Sequence, residues 1–210
     1  VIVGARVSIF SALILVAVIA AAGTLIGMIC GYIQGAADSI IMRIADICLA
    51  FPGLVFALAI AAVLNGGVGN AVIALAVISW PKYARIARGQ TLAVKSSEYI
   101  AAARLAGSTP LKILFCHILP NIIGPVLVTA MLDIGTMMME IAALSFLGLG
   151  AKPPTAEWGS MMSEGRSMLQ TYPWTVLTPG IAIFISVVLF NLLGDTIRDY
   201  VDPGNGSRQG

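Results

Sequence analysis

Two carboxylates, Asp133 and Glu140, stand seven residues apart in an apolar run, with Met137 between them. Seven residues are about two helical turns, so both acids share one face of a helix. An ionised acid at membrane depth is costly and normally meets a partner or a wet cavity. Two readings follow. Either Asp133, Met137 and Glu140 line a wet path through the membrane, or the acids pair with another helix. A rival chemistry uses Asp133 and Glu140 as the relay of an ion-driven secondary transporter. Met131, Met137, Met138 and Met139 offer soft thioethers, but consecutive residues face different sides of a helix and read better as packing filler. His117, the only histidine, has no cysteine cluster or second imidazole beside it, so no metal site is expected. The sequence contains no G-x-x-x-x-G-K-[ST], HExxH or GxSxG, so no catalytic residue is expected and no nucleotide is cradled by a phosphate loop.

These residues must be held by lipid-buried rods. With 59% hydrophobic and 10% charged residues and a mean hydropathy of +0.96, the 210-residue chain reads as an all-α, polytopic membrane protein forming one domain over 1–210. Five spans are expected: Val7–Ile33, a second ending near Leu64, Ala71–Ile86, Ile118–Leu147 and Trp174–Leu193. Gln34–Asp46 reads as a polar connector, and Phe51-Pro52-Gly53 predicts a kink near the start of the second span. Gly23, Gly27 and Gly31 place three bare patches on one stripe of the first span, a seam for a close neighbour. Cys30, Cys48 and Cys116 lack paired spacing and read as small hydrophobes. A net charge of +2 is too small to suggest a nucleic-acid partner.

The longest polar interruption is 96–120, SSEYIAAARLAGSTPLKILFCHILP. Ser96 or Ser97 can cap a first short helix, Glu98 suits its positive end, and Gly107 supplies a left-handed stop. Thr109 followed by Pro110 starts a second short helix running towards Leu119. Lys82, Arg85, Arg88, Lys95, Arg104 and Lys112, half of the twelve basic residues, gather around this loop. The positive-inside rule therefore places it in the cytoplasm. Val1 and the 148–173 loop are then external, and the 195–210 tail is internal. In the external loop, Trp158 is expected at the membrane interface, and Glu157, Glu164, Arg166 and Lys152 either dock a soluble binding protein or form a solvated face.

At 101–120 the sequence resembles the membrane subunits of bacterial ATP-binding-cassette (ABC) importers, whose cytoplasmic loop reads EAA, three residues, Gly, nine residues, I-x-LP. Ala102, Ala103, Gly107, Leu119 and Pro120 fall on that pattern; Ala101 stands where glutamate is usual and His117 where isoleucine is usual. The stretches Leu144–Gly150, Pro153-Pro154-Thr155, Glu157-Trp158-Gly159 and Asn191–Asp195, with Arg198-Asp199 and Asp202-Pro203, are similar to the dipeptide, oligopeptide and nickel permeases. Within that branch, Leu132–Met138 and Pro154–Gly159 look slightly more like nickel permeases.

The resemblance implies a type I importer transmembrane domain in the bacterial inner membrane, with one further helix before Val1 and six in all. It implies that Ala101, Ala102, Ala103, Gly107, Pro110, His117, Leu119 and Pro120 couple this chain to two cytoplasmic ATPase subunits. Those subunits would hold the ATP and magnesium, with no cofactor bound here. A second homologous permease and an extracytoplasmic substrate-binding protein complete the implied assembly. Glu157, Trp158, Glu164 and Arg166 are candidate docking residues for that binding protein.

Overall fold

The computed structural model describes residues 1–201, as helices and turns; the proposed motif residues Asp202-Pro203 lie outside the described residues. The fold is built on one close helix pair. Helix α1 (Ile2–Ile33) lies against α4 (Val68–Lys95), and the glycine stripe is the contact. A β-carbon at Gly23 would lie 2.5 Å from Trp80 O, at Gly27 2.1 Å from Ala84 O, and at Gly31 2.9 Å from Arg88 O. Only a residue without a side chain lets the two backbones approach so closely.

The second span departs from expectation. The polar connector is only Gln34-Gly35, and α2 (Ala36–Ala50) already begins there. The bend falls between α2 and α3 (Gly53–Val63), where the axis turns by 95°. Phe51 is extended (φ −97°, ψ 149°), the conformation that a following proline imposes on its neighbour. Pro52 therefore makes a full break in mid-span, where a kink near the start of the span was expected.

Helix α1, the continuous helix Pro110–Phe146, and α9 (Trp174–Val201) are long and apolar enough to cross a membrane, and α2–α3 is a broken fourth. Helix α4 has 28 residues, about 42 Å at ~1.5 Å each, so it outlasts the ~30 Å hydrocarbon core. It runs nine residues past the expected end at Ile86. Its basic side chains make this possible, because Lys82, Arg85 and Arg88 are each paired with a carboxylate from another helix.

Two ends emerge. At one, Gly67 N–H donates to Leu149 O (3.1 Å), Lys152 Nζ to Asn65 O (2.8 Å) and Trp158 Nε1 to Val1 O (3.0 Å). This joins the α3–α4 turn, the chain start and the 148–173 loop on one side, as the basic-residue bias requires of the outer side. At the other end lie the α1–α2 connector and the 96–118 loop after α4. The larger core gathers around Leu15, Ile19, Leu75, Tyr83, Met138 and Ile141. A smaller one, Met28, Ala87, Ile100, Ile113, Ile118 and Ile122, lies at the end that carries the 96–118 loop.

Candidate functional site

The 96–120 loop is an elbow with one free helix, not two. Helix α5 (Glu98–Leu105) ends where Gly107 adopts φ +79°. Gly107 N–H donates to Arg104 O and Ser108 N–H to Ala103 O, closing the helix in a Schellman stop. Thr109 Oγ1 accepts from Lys112 N–H (3.4 Å), capping α6 (Pro110–Lys112) as the sequence predicts. Ser96 and Ser97 do not cap α5: their hydroxyls donate back to Ala93 O and Val94 O at the end of α4.

The second short helix and the fourth span, expected as two elements, are one helix. Helix α6 passes through one π-helical turn, Ile113–Ile118, straight into α7 (Leu119–Phe146). The wider turn shifts the ladder by a residue, with Leu119 N–H donating to Leu114 O, so the proline that lacks an N–H is absorbed within the first turn of α7. The carbonyl of His117 accepts from Asn121 Nδ2 (2.6 Å) and from the Tyr99 hydroxyl (3.4 Å). The Tyr99 bond, with Asn121 Nδ2 also donating to the Tyr99 hydroxyl (3.1 Å), staples α5 to the root of α7.

The elbow has two faces. Ile100, Ile113 and Ile118 are fully buried in the smaller core against Met28 and Ala87. Ala101, Ala102, Gly107, Pro110 and Pro120 are exposed, His117, Ala103 and Leu119 are half-buried, and Leu105 and Leu111 are 91% and 67% exposed. Two exposed leucines on a rooted elbow form an apolar handle at the surface.

The membrane-depth acids occupy a cavity of about 320 Å³ between the α2–α3 break, α4 and α7, lined by Phe51, Lys82, Asp133, Thr136, Met137 and Glu140 among others. The three residues singled out from sequence therefore meet in one place. Asp133, however, is engaged on both oxygens. Lys82 Nζ donates to Oδ1 (2.6 Å) and the buried Tyr83 hydroxyl to Oδ2 (2.9 Å). Of its two open readings, pairing with another helix is what the geometry displays, since Asp133 bolts α7 to α4. Sequence reasoning missed Lys82 and Tyr83 as its partners; the charge of Lys82 within an apolar stretch was the available signal. Irregular backbone at membrane depth is tolerated where it faces such a cavity, which accounts for the broken helix beside it. Met138 is buried in the core, whereas Met139 is exposed on the opposite side.

On the outer side two expectations are overturned. Glu157 is 0% and Trp158 3% exposed, so neither offers a surface to a docking protein. Glu157 caps α8 (Trp158–Gly165), accepting from Gly159 N–H and Ser160 N–H at 3.0 Å each, and from the Ser8 hydroxyl at 3.1 Å. A helix N-terminus with three donors is a lower-energy home for this carboxylate than water alone. Trp158 is pulled inward with it, wedged on α1 at Gly4 with its indole N–H on Val1 O, so it is buried within the bundle. Glu164 and Arg166 remain exposed.

A bundle of long apolar helices, one of them broken over a charged cavity, with a rooted elbow between two of them, defines a membrane permease domain. Its fold is that of ABC importer transmembrane domains: it matches the methionine ABC transporter MetNI in inward-facing form with a TM-score of 0.75, at 18% identity over 94% of each chain, and an amino acid ABC transporter with a TM-score of 0.62 at 19% identity over 90% of each. The chain belongs to the family of binding-protein-dependent transport system inner membrane components, which matches residues 23–206. It is 44% identical over 203 residues to the glutathione transport system permease protein GsiD of Pectobacterium atrosepticum, covering 97% of this chain and 67% of that one. It is also 44% identical over 209 residues to the probable D,D-dipeptide transport system permease protein DdpC of Escherichia coli K12, covering 100% and 70%. It is accordingly a non-catalytic permease subunit of an inner-membrane importer.

Proposed function

We propose that this chain forms half of the membrane channel of an ATP-driven importer of peptide-type cargo, and that cytoplasmic ATPase subunits drive it by gripping the elbow at 98–120. One observation carries the reading: the elbow is tied to the root of α7 by the Tyr99 hydroxyl and packed on Met28 of α1, yet presents Leu105 and Leu111 to the water. A free hydrophobic handle on a rigid lever has a use only if another protein holds it. Closure of an ATPase pair then moves α7, and with it the cavity wall that carries Asp133 and Glu140. ATP and magnesium belong to those partners. A second permease completes the channel and a binding protein delivers the cargo.

Peptide cargo is favoured over nickel on two grounds. The relatives GsiD and DdpC are named for glutathione and D,D-dipeptide transport. The acid best placed to meet a metal ion, Asp133, already has Lys82 and Tyr83 on its oxygens, which also disfavours it as a proton relay. The test is copurification followed by uptake of alanyl-alanine and of nickel into proteoliposomes with each partner removed in turn. ATP-dependent alanyl-alanine uptake is expected. Nickel uptake without peptide uptake refutes the cargo, and recovery without any ATPase refutes the lever.

A further inference from the structure

Helix α4 carries Lys82, Arg85 and Arg88 at intervals of three residues, and each is paired with a different carboxylate. Lys82 holds Asp133 of α7, Arg85 holds Asp46 of α2, and Arg88 holds Asp38 of α2 in a two-pronged pair at 2.6 and 2.7 Å. The row descends about 4.5 Å per step towards the cytoplasm. It runs from the cavity beside Asp133 into a second, larger one of about 520 Å³ between α2 and α4. That lower cavity is lined by Ser39, Met42, Arg43, Asp46, Arg85 and Arg88, together with Gly89.

The lower cavity has a cationic surplus. It holds three guanidinium groups against Asp46 on its wall and Asp38 behind Arg88. Arg43 is exposed and has no ion-pair partner among the described residues. Arg85 and Asp46 are each about half exposed (52% and 47%), so an incoming anion can take the place of Asp46 without unburying anything. Guanidinium groups bind carboxylates through parallel N–H donors, a geometry that lysine cannot reproduce.

We propose that Arg43 and Arg85 form a carboxylate subsite on the cytoplasmic side of the path, which receives the free C-terminal carboxylate of a peptide after it passes Lys82. This rests on the peptide-importer reading and deepens it. The Arg85–Asp46 pair is then a resting one: Asp46 keeps Arg85 neutralised until the cargo's own carboxylate replaces it.

The experiment uses the assembled permease–ATPase complex in detergent without binding protein, so that binding-protein selectivity plays no part. Equilibrium binding is measured for radiolabelled alanyl-alanine and for alanyl-alaninamide, which lacks the carboxylate. Wild type is expected to prefer the free acid by about ten-fold, the scale of one charge-assisted hydrogen bond. Arg43→Gln and Arg85→Gln each lower acid affinity by about ten-fold and leave amide affinity unchanged, while Arg43→Lys loses less. Equal affinity for acid and amide, equal loss of both in the variants, or no acid bound by wild type overturns the subsite. If phosphatidylglycerol retention falls in Arg43→Gln while peptide binding does not, the arginines serve lipid headgroups instead and the proposal is wrong. Because ATP-driven uptake of alanyl-alanine is measured separately, loss of the subsite and loss of the importer reading are distinguishable.

Discussion

Replacing Gly27 by alanine tests the seam on which the bundle is built. The new methyl carbon would sit 2.1 Å from Ala84 O and 2.8 Å from Ala84 Cα, against the 3.4 Å at which ordinary contact begins. Both obstacles are backbone, so no rotamer change relieves them, and α1 and α4 must part by roughly 1.3 Å at that point, the difference between 3.4 and 2.1. Overpacking of this kind costs about 1–3 kcal/mol. Alanine's intrinsic advantage over glycine in a helix, about 0.8–1.0 kcal/mol, partly offsets it. Gly89→Ala supplies the control, since that glycine is also in mid-helix and a β-carbon there meets nothing within 4 Å. Helix propensity cancels between the two variants, leaving the clash, so Gly27→Ala is expected to lie about 1–3 kcal/mol below Gly89→Ala. Equilibrium unfolding by SDS in mixed micelles, followed by circular dichroism, reads the difference. Equal stability of the two variants refutes the seam.

Asp133→Ala strands the buried Tyr83 hydroxyl and the Lys82 ammonium, and the loss expected is about 2–4 kcal/mol. Adding Tyr83→Phe to Asp133→Ala costs at least about 1 kcal/mol less than the sum of the single losses, because one bond is counted twice; strict additivity in the same unfolding assay contradicts the bolt. Glu157→Ala removes the α8 cap and leaves the Ser8 hydroxyl without its acceptor, so amides 159 and 160, which the carboxylate holds, exchange faster by about ten-fold or more in hydrogen exchange, on a loss of about 1–2 kcal/mol; unchanged protection removes the capping role. Leu105→Asp and Leu111→Asp place charges on exposed positions, leaving stability within about 0.5 kcal/mol of wild type while ATPase copurification falls; full copurification shows that the handle is not gripped.

The bundle was legible because apolar runs, basic-residue bias and the four-residue glycine repeat each report one physical constraint. The Gly107 stop and the Thr109 cap were legible for the same reason, being local backbone chemistry. What escaped was set by tertiary partners. The short helix after Pro110 and the fourth span read as separate elements, but a π-turn joins them into one helix. Ser96 and Ser97 read as caps, but the end of α4 offers their hydroxyls carbonyls first. Glu157 reads as a surface charge because nothing local announces that Ser8, 149 residues away, will hold it. Asp133 and Glu140 were placed on one face correctly, whereas the identity of Asp133's partners depended on how α4 packs.

Reconstitution of the purified chain with and without its ATPase subunits tests the central claim most directly. Uphill alanyl-alanine uptake that requires ATP and those subunits, and that collapses when Gly107→Val forces a β-branched residue into the left-handed corner, is the predicted result. Uphill uptake by this chain and a second permease alone, or undiminished ATP-driven uptake in Gly107→Val, contradicts it.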